Sequence, residues 1–467
     1  PVFRKYDNTL AAERRPSYRD GTVKLMVYNI EDKNKIEKLR EIELEGRYLS
    51  SRKIESKLYL VANKHIDYYR IMKQNDINYT PSYRDTVVMD GFINIDYNEI
   101  AYFPDCLEPN YMIVAGLNLD ASKEGVNVAT YLGSSESIYA SEYNLYTAVT
   151  KRNIAVRKKV NPVIYDSAVS IKISEEIPEK ETVVYRFAMD DGKVNYTGKG
   201  VVPGYILNQF SMDENKGYFR IATTKGDMWR TDENTSKNNL YILDEDLNIY
   251  GKLEDIAPGE RIYSVRFMGD RAYMVTFKKV DPLFVIDLKD AKDPRILGAL
   301  KIPGYSDYLH PYDENHIIGF GKDTVEVIHK DSLGNPIDST AYYLGIKMAV
   351  FDVSDVNNPK EKFKEVIGDR GTDSELLRDH KALLFSREKN LLAFPIRVAE
   401  VIGEQMYHNN GIPVSGSFAF QGAYVYNLDL KDGFRLKGKI SHISSDEYLK
   451  SGQNWYGSEK NINRILY

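Results

Sequence analysis

The seven histidines stand at positions 65, 310, 316, 329, 380, 408 and 442, and no pair has metal-ligand spacing on one element. His310 and His316 straddle a hairpin turn at Asp313 to Asn315, with His310 on the first strand of that hairpin. Two other hairpins place Arg52 and Arg266 at the same level, so three repeating units carry a cationic or titratable side chain there. Asp379 and His380 are expected to begin another such strand. Arg52, Arg266, His310, Asp379 and His380 around a channel mouth would bind an anion or a metal. The alternative is that they pair with acidic residues between neighbouring sheets, because perturbed polar groups mark functional sites only on average.

Other chemistry finds little support in the sequence. No G-x-S-x-G nucleophile elbow, Walker-type phosphate loop or H-E-x-x-H zinc motif occurs. Cys106, in "FPDCLEPN", has no histidine nearby in sequence to lower its pKa, so a loop or buried thiol is expected. The segments "DEDLN", "DMWRTDENTSKNN" and "SDVNNP" offer oxygen ligands for calcium, but none has EF-hand spacing. No cofactor is therefore predicted, with calcium the one metal these loops admit. Trp229 and Trp455 read as loop aromatics, able either to stack on a sugar or to anchor their own loops.

The chain that must position these residues has 467 residues, 42% hydrophobic and 28% charged, a globular composition. A net charge of −5 calls for neither nucleic acid nor an anionic membrane. A single cysteine rules out an intrachain disulfide and leaves the compartment open. No run of 18 apolar residues occurs, so no transmembrane segment is expected. Proline rather than methionine at position 1 suggests a processed or trimmed chain.

A phrase recurs: "DPLFVIDLKDAKDP" (281–294) and "MAVFDVSDVNNP" (348–359) superimpose Asp287 on Asp352, Asp290 on Asp355 and Pro294 on Pro359. Echoes place Asn29, Asn118, Asp190, Asp244 and Asn427 at the same point, a spacing of about 66 residues. The repeated Asp or Asn is read as a turn former, because its side chain bonds backbone N–H groups two residues on. Between these phrases lie hairpins such as "YSVRFMGDRAYMVTF" (263–277), "DYLHPYDENHIIGFG" (307–321) and "LSSRKIESKLYLVAN" (49–63). Each unit is then hairpin, strand, turn, strand. Radial repetition of such four-stranded antiparallel sheets is a β-propeller. The fold class is all-β, and residues 1–467 read as one propeller domain with seven recognisable units, closing with seven or eight blades.

Insertions interrupt the rhythm at 64–110 and 397–420, where "HNNGIPVSGSF" reads as an exposed loop. "SSDEYLKSG" and "DSELLRDHKA" read as short helical segments, the latter capped by Asp373 or Ser374. "PSYRD" occurs twice, in 15–21 and 80–86, and both copies are read as Pro-set linkers.

The segments "VPGYILNQFSMDENKGYFRIATT", "LEDIAPGERIYSVRFMGDRAYMVTF", "IPGYSDYLHPYDENHIIGFGKD" and "FDVSDVNNPKEKFKEVIGDRGTDSELLRDHKALLF" resemble the secreted β-propeller family of bacteria and archaea, distantly related to WD-type repeats. The resemblance runs from about residue 20 to the end. It implies export, as an extracellular or cell-surface protein, and longer relatives that begin upstream with another unit. No family activity carries over. The expected function is a non-enzymatic binding or scaffold propeller, without catalytic motifs, that takes an envelope protein, peptide or glycan on a loop face or channel mouth, as a monomer and without nucleic acid. The alternative is a hydrolase or lyase with a central-channel site using His310 or His380 as base.

Overall fold

The computed structural model describes residues 21–67, 71–72, 79–103, 110–121, 123–133, 135–152, 163–165, 168–170, 180–278, 281–331, 333–403, 405–450 and 457–466. Cys106 and Trp455, for which loop roles are expected, and the first "PSYRD" lie outside these residues. The chain divides into two compact units, one of residues 1–151 with 183–199, the other of 152–182 with 200–467.

The first unit contains β1 (Thr22–Asn29), β2 (Glu37–Glu45), β3 (Arg47–Ile54), β4 (Lys57–Lys64), β5 (Ser82–Asp85), β6 (Met89–Asn94), β7 (Ile100–Tyr102), β8 (Tyr111–Asn118), β9 (Asn127–Leu132), β10 (Ser137–Ala140) and β11 (Asn144–Arg152). A small hairpin, β12 (Val163–Tyr165) and β13 (Ala168–Ser170), precedes β14 (Lys180–Asp190) and β15 (Lys193–Pro203). The sheets run β1-β2-β5-β6, β3-β4-β8-β9 and β10-β11-β14-β15, with β7 added parallel to β9. The 64–110 excursion therefore supplies three strands. The second "PSYRD" is not a linker: residues 82–85 form β5, which pairs with β2. Asp85 is fully buried and takes the Arg40 Nε–H at 2.9 Å and the Val126 N–H at 2.9 Å. Burying that carboxylate requires these partners.

The second unit repeats one sheet four times. β16 (Met212–Asn215), β17 (Tyr218–Lys225), β18 (Lys237–Leu243) and β19 (Ile249–Ile256) form the first. β20 (Arg261–Met268), β21 (Arg271–Phe277), β22 (Asp281–Asp287) and β23 (Arg295–Ile302) form the second. β24 (Tyr305–Asp313), β25 (His316–Lys330), β26 (Pro336–Asp352) and β27 (Lys360–Ile367) form the third. β28 (Leu384–Ser386), β29 (Leu391–Glu400), β30 (Ser417–Asp429) and β31 (Gly433–Ile440) form the fourth, followed by the helix α1 (Ser445–Lys450). Each sheet is antiparallel in sequence order, as expected of a blade. β25 and β26 continue as an unanticipated long hairpin beyond the blade.

Burial follows position in the blade. β18 and β21 are buried along nearly their whole length, because neighbouring sheets cover both faces. β27, the last strand of its sheet, alternates between exposed and half-buried until its end. Apolar layers join successive sheets: Leu240 and Ile256 with Met274 and Ile286, and Phe320 and Met348 with Phe394 and Tyr426. Burial of these side chains is the main driving force for stacking the sheets.

The repeated Asp phrase is the joint of this stack. Asp287, Asp352, Asp244, Asn29 and Asn118 each accept a backbone N–H two residues on, at 2.9–3.0 Å. In the last blade Asp429 does this, accepting from Lys431 N at 2.9 Å, while Asn427 instead takes an Arg435 N–H at 3.1 Å. Asp190 simply ends β14. Three turns of the second unit, after Asp244, Asp287 and Asp352, back onto the outer strand of the preceding sheet, where glycine leaves room for them. A Cβ on Gly200 would meet Leu247 O at 2.6 Å, and Cβ atoms on Gly251 and Gly298 would overlap the carbonyl oxygens of Ala291 and Val356. The outer strands also share a β-bulge, at Tyr250, Leu297, Lys362 and Lys437.

Candidate functional site

The first strands of three blades carry a second recurrent bulge. One extra residue interrupts the pairing at Leu49 in β3, Tyr263 in β20 and Asp307 in β24. A bulge re-aims its side chain. Three residues later stand Arg52, Arg266 and His310, so the equivalence read from the hairpins corresponds to one place within each blade. Arg52 belongs to the first unit, where its Nη1 donates to Ser51 O at 3.1 Å. The other four predicted residues belong to the second unit.

Arg266, His310 and His380 share one set of aromatic neighbours. The 3-10 turn Gln209–Ser211 precedes β16 and brings Phe210 within 5.3 Å of the Arg266 guanidinium. Phe210 also meets the His380 ring edge-to-face at 4.8 Å and Tyr308 at 5.3 Å. The Tyr308 hydroxyl lies 2.9 Å from His310 Nδ1, and Phe385 covers the other side of the His310 ring at 4.9 Å. His380 does not begin a strand. It opens the 3-10 turn His380–Ala382, with Gln209 Nε2 3.3 Å from its Nδ1. Asp379 caps that turn by accepting from Lys381 N at 3.0 Å, and its other oxygen takes Arg464 at 2.6 Å.

The electrostatics of this cluster are uneven. Burial, then the positive charge of Arg266 and the neighbouring His380, lowers the His310 pKa to about 4. The imidazole is neutral at pH 7. Arg266 itself has no carboxylate partner among the described residues, and its buried Nε has no hydrogen-bond acceptor. Ser211, fully buried on the adjoining turn, has an equally unpartnered hydroxyl.

A second group was not anticipated. Asp307, the bulge residue, is pushed up to about 7 by burial, reinforced by Asp373 and opposed by Lys322, Arg378 and Arg261. Lys322 donates to Thr372 O and lies 3.7 Å from Asp373, which also pairs with Arg378 at 2.9 Å. Burial lowers the Lys322 pKa. Asp373, Glu375, Arg378, Arg397 and Gln421 line a cavity of about 270 Å³, closed on one side by Asn461 to Asn463. Gln421 holds that wall by bonding both backbone groups of Ile462, at 2.9 and 3.2 Å. The hairpin alignment contains Asp307, but it sits opposite Leu49 and Tyr263, so residue type gave no signal.

Among the described residues no three His, Cys, Asp or Glu side chains come together as metal ligands. No helix among them is long and apolar enough to cross a membrane. Trp229 is 80% exposed in its loop.

Comparison with known proteins places the chain. An uncharacterised protein of Methanocaldococcus jannaschii is 32% identical over 426 residues, 80% of this chain and 63% of that protein. An uncharacterised protein of Archaeoglobus fulgidus is 38% identical over 275 residues, 58% of this chain and 35% of that protein. The chain thus spans less than two thirds of the length of either relative. Solved structures that align with it include the β-propeller domain of the Trilobed protease from Pyrococcus furiosus, at 7% identity and a TM-score of 0.30, covering 84% of this chain and 97% of that one. Acylaminoacyl peptidase from Pyrococcus horikoshii aligns at 10% identity and a TM-score of 0.23, covering 76% of this chain and 58% of that one. The family described as a β-propeller domain matches residues 3–467, and with its repeated four-stranded antiparallel sheets the chain belongs to that family.

Proposed function

We propose that this propeller is a binding domain, and that the Arg266 cluster takes a carboxylate of an acidic peptide, protein or glycan. One observation carries the reading: the Arg266 guanidinium is partly buried against Phe210 with no counter-ion among the described residues and with Nε lacking an acceptor. A partly buried cation in that state gains from an incoming anion, and a guanidinium edge matches a carboxylate with two parallel hydrogen bonds. Binding suits the cluster better than acid–base catalysis. A general base works best with a pKa near the working pH, and His310 sits far below it, tied to Tyr308.

The family resemblance supports an extracellular or cell-surface location, which fractionation of cells expressing the full-length gene product tests. For the ligand, calorimetric titration with a poly-glutamate peptide and with polygalacturonate is the direct test. One of these polyanions should bind, and Arg266→Gln should weaken that binding by about tenfold, the loss of a charge-assisted hydrogen-bond pair. Binding unaffected by Arg266→Gln, or no binding of either, overturns the proposal.

A further inference from the structure

A second cavity, with aromatic and charged walls and about 590 Å³ in volume, lies elsewhere in the second unit. Tyr218 and Tyr250 form one wall, and the turn carrying Asp287, Asp290 and Asp293 forms the other. Tyr250 is the bulge residue of β19, and it is 44% exposed. Its ring centroid lies 5.1 Å from that of Tyr218, with the planes 37° apart. The equivalent pairs in the other sheets of the second unit are Arg271 and Leu297, His316 and Lys362 (3.4 Å apart), and Leu391 and Lys437, so paired tyrosines occur here in one of these four sheets. The following residue, Gly251, seats the Ala291 carbonyl, which fixes the acidic turn against the strand bearing Tyr250.

The acidic wall is only partly neutralised. Asp287 bonds Lys289 N at 3.0 Å and lies 3.7 Å from Arg295. Asp290 accepts Lys292 N at 2.9 Å through one oxygen only. The Asp293 carboxylate has no hydrogen bond or ion pair among the described residues, and the equivalent position in the next blade is Asn358, so the turn does not need its charge. Asp244 and Asp290 add to the field at Tyr218, whose pKa is raised first by its hydrogen bond with Tyr250. Three carboxylates thus face two cations, Lys289 and Arg295, beside the half-buried Tyr218 ring and the exposed Tyr250 ring.

We propose that this cavity binds the lysine side chain of a partner polypeptide, its alkylammonium group lying against the Tyr218 and Tyr250 rings and taking Asp290 and Asp293 as counter-ions. Ring quadrupoles attract a cation within about 6 Å of the centroid, and carboxylates at the same distance supply the rest of the attraction. A neutral sugar would stack on the rings and donate hydroxyls to the carboxylates, but only a cation also gains charge–charge attraction from the wall.

The test is calorimetric titration of the intact protein with a hexalysine peptide, its fully acetylated counterpart and a neutral hexasaccharide. Hexalysine should bind, and the acetylated peptide and the saccharide should not. Tyr250→Ala and Asp293→Asn should each weaken hexalysine binding by about fivefold. Both residues are exposed, and unchanged melting temperatures check that the variants fold. Arg266→Gln should leave this binding unchanged, which separates the site from the one proposed for carboxylates. No hexalysine binding, equal binding of the acetylated peptide or saccharide, or full affinity in Tyr250→Ala each overturns the proposal.

Discussion

His310 and Asp307 lie three residues apart on one strand, and burial shifts them in opposite directions. Burial holds His310 near 4, below its ordinary 6.5, so its native form resists protonation. As pH falls from 6.5 to 4 the unfolded chain binds that proton first, and stability is lost across this window, by at most about 3 kcal/mol. Asp307 is raised from 3.8 to about 7, so the native state resists its ionisation. Its penalty therefore grows as pH rises from 4 to 7. Urea unfolding across pH 4–8 should show a flatter acid limb for His310→Gln. Asp307→Asn should exceed the parent in stability at pH 8 and match it near pH 4. Curves parallel to the parent would disprove both assignments. Arg266 and His310 were legible because the hairpin places them in equivalent positions. Asp307 was not, because a bulge is a property of pairing between strands and leaves no mark in one strand's residue types.

Among the elements, the turn and the glycine behind it act together. The Asp side chain closes the turn, and the turn backbone then sits where a Cβ of the neighbouring strand would be. Gly298→Val should destabilise the protein by about 3 kcal/mol or more, by overpacking against the Val356 carbonyl. Gly438 occupies the matching place on β31, and a Cβ there would meet nothing within 4 Å. Gly438→Ala should be neutral or stabilising by about 0.5 kcal/mol, because it only reduces unfolded-chain freedom. Equal melting temperatures for the two variants would rule out the joint. The Asp phrase announced a turn from its own chemistry. The glycines were silent, since their role lies in a strand some 40–58 residues earlier in sequence.

For the whole molecule, the calcium reading of the carboxylate loops remains open to a simple measurement. The turn aspartates spend oxygens on backbone N–H groups, and no three ligands converge among the described residues. EDTA or added calcium should leave the melting temperature unchanged, since only a ligand bound to the native state moves it. A fall with EDTA, reversed by calcium, would show that an ion is held after all. By itself, the sequence determined the repeat, the four-stranded antiparallel unit and the turn residues. These follow from local chemistry: alternation, hairpin turns and side-chain capping act within a few residues. The tertiary structure decided what the local pattern could not. It made the second "PSYRD" a central strand because Arg40 lies 45 residues away. It moved His380 from a strand to a capped turn. It left Arg266 without a counter-ion among the described residues and placed two tyrosines opposite an aspartate turn, because burial and charge pairing depend on neighbours that only folding brings together.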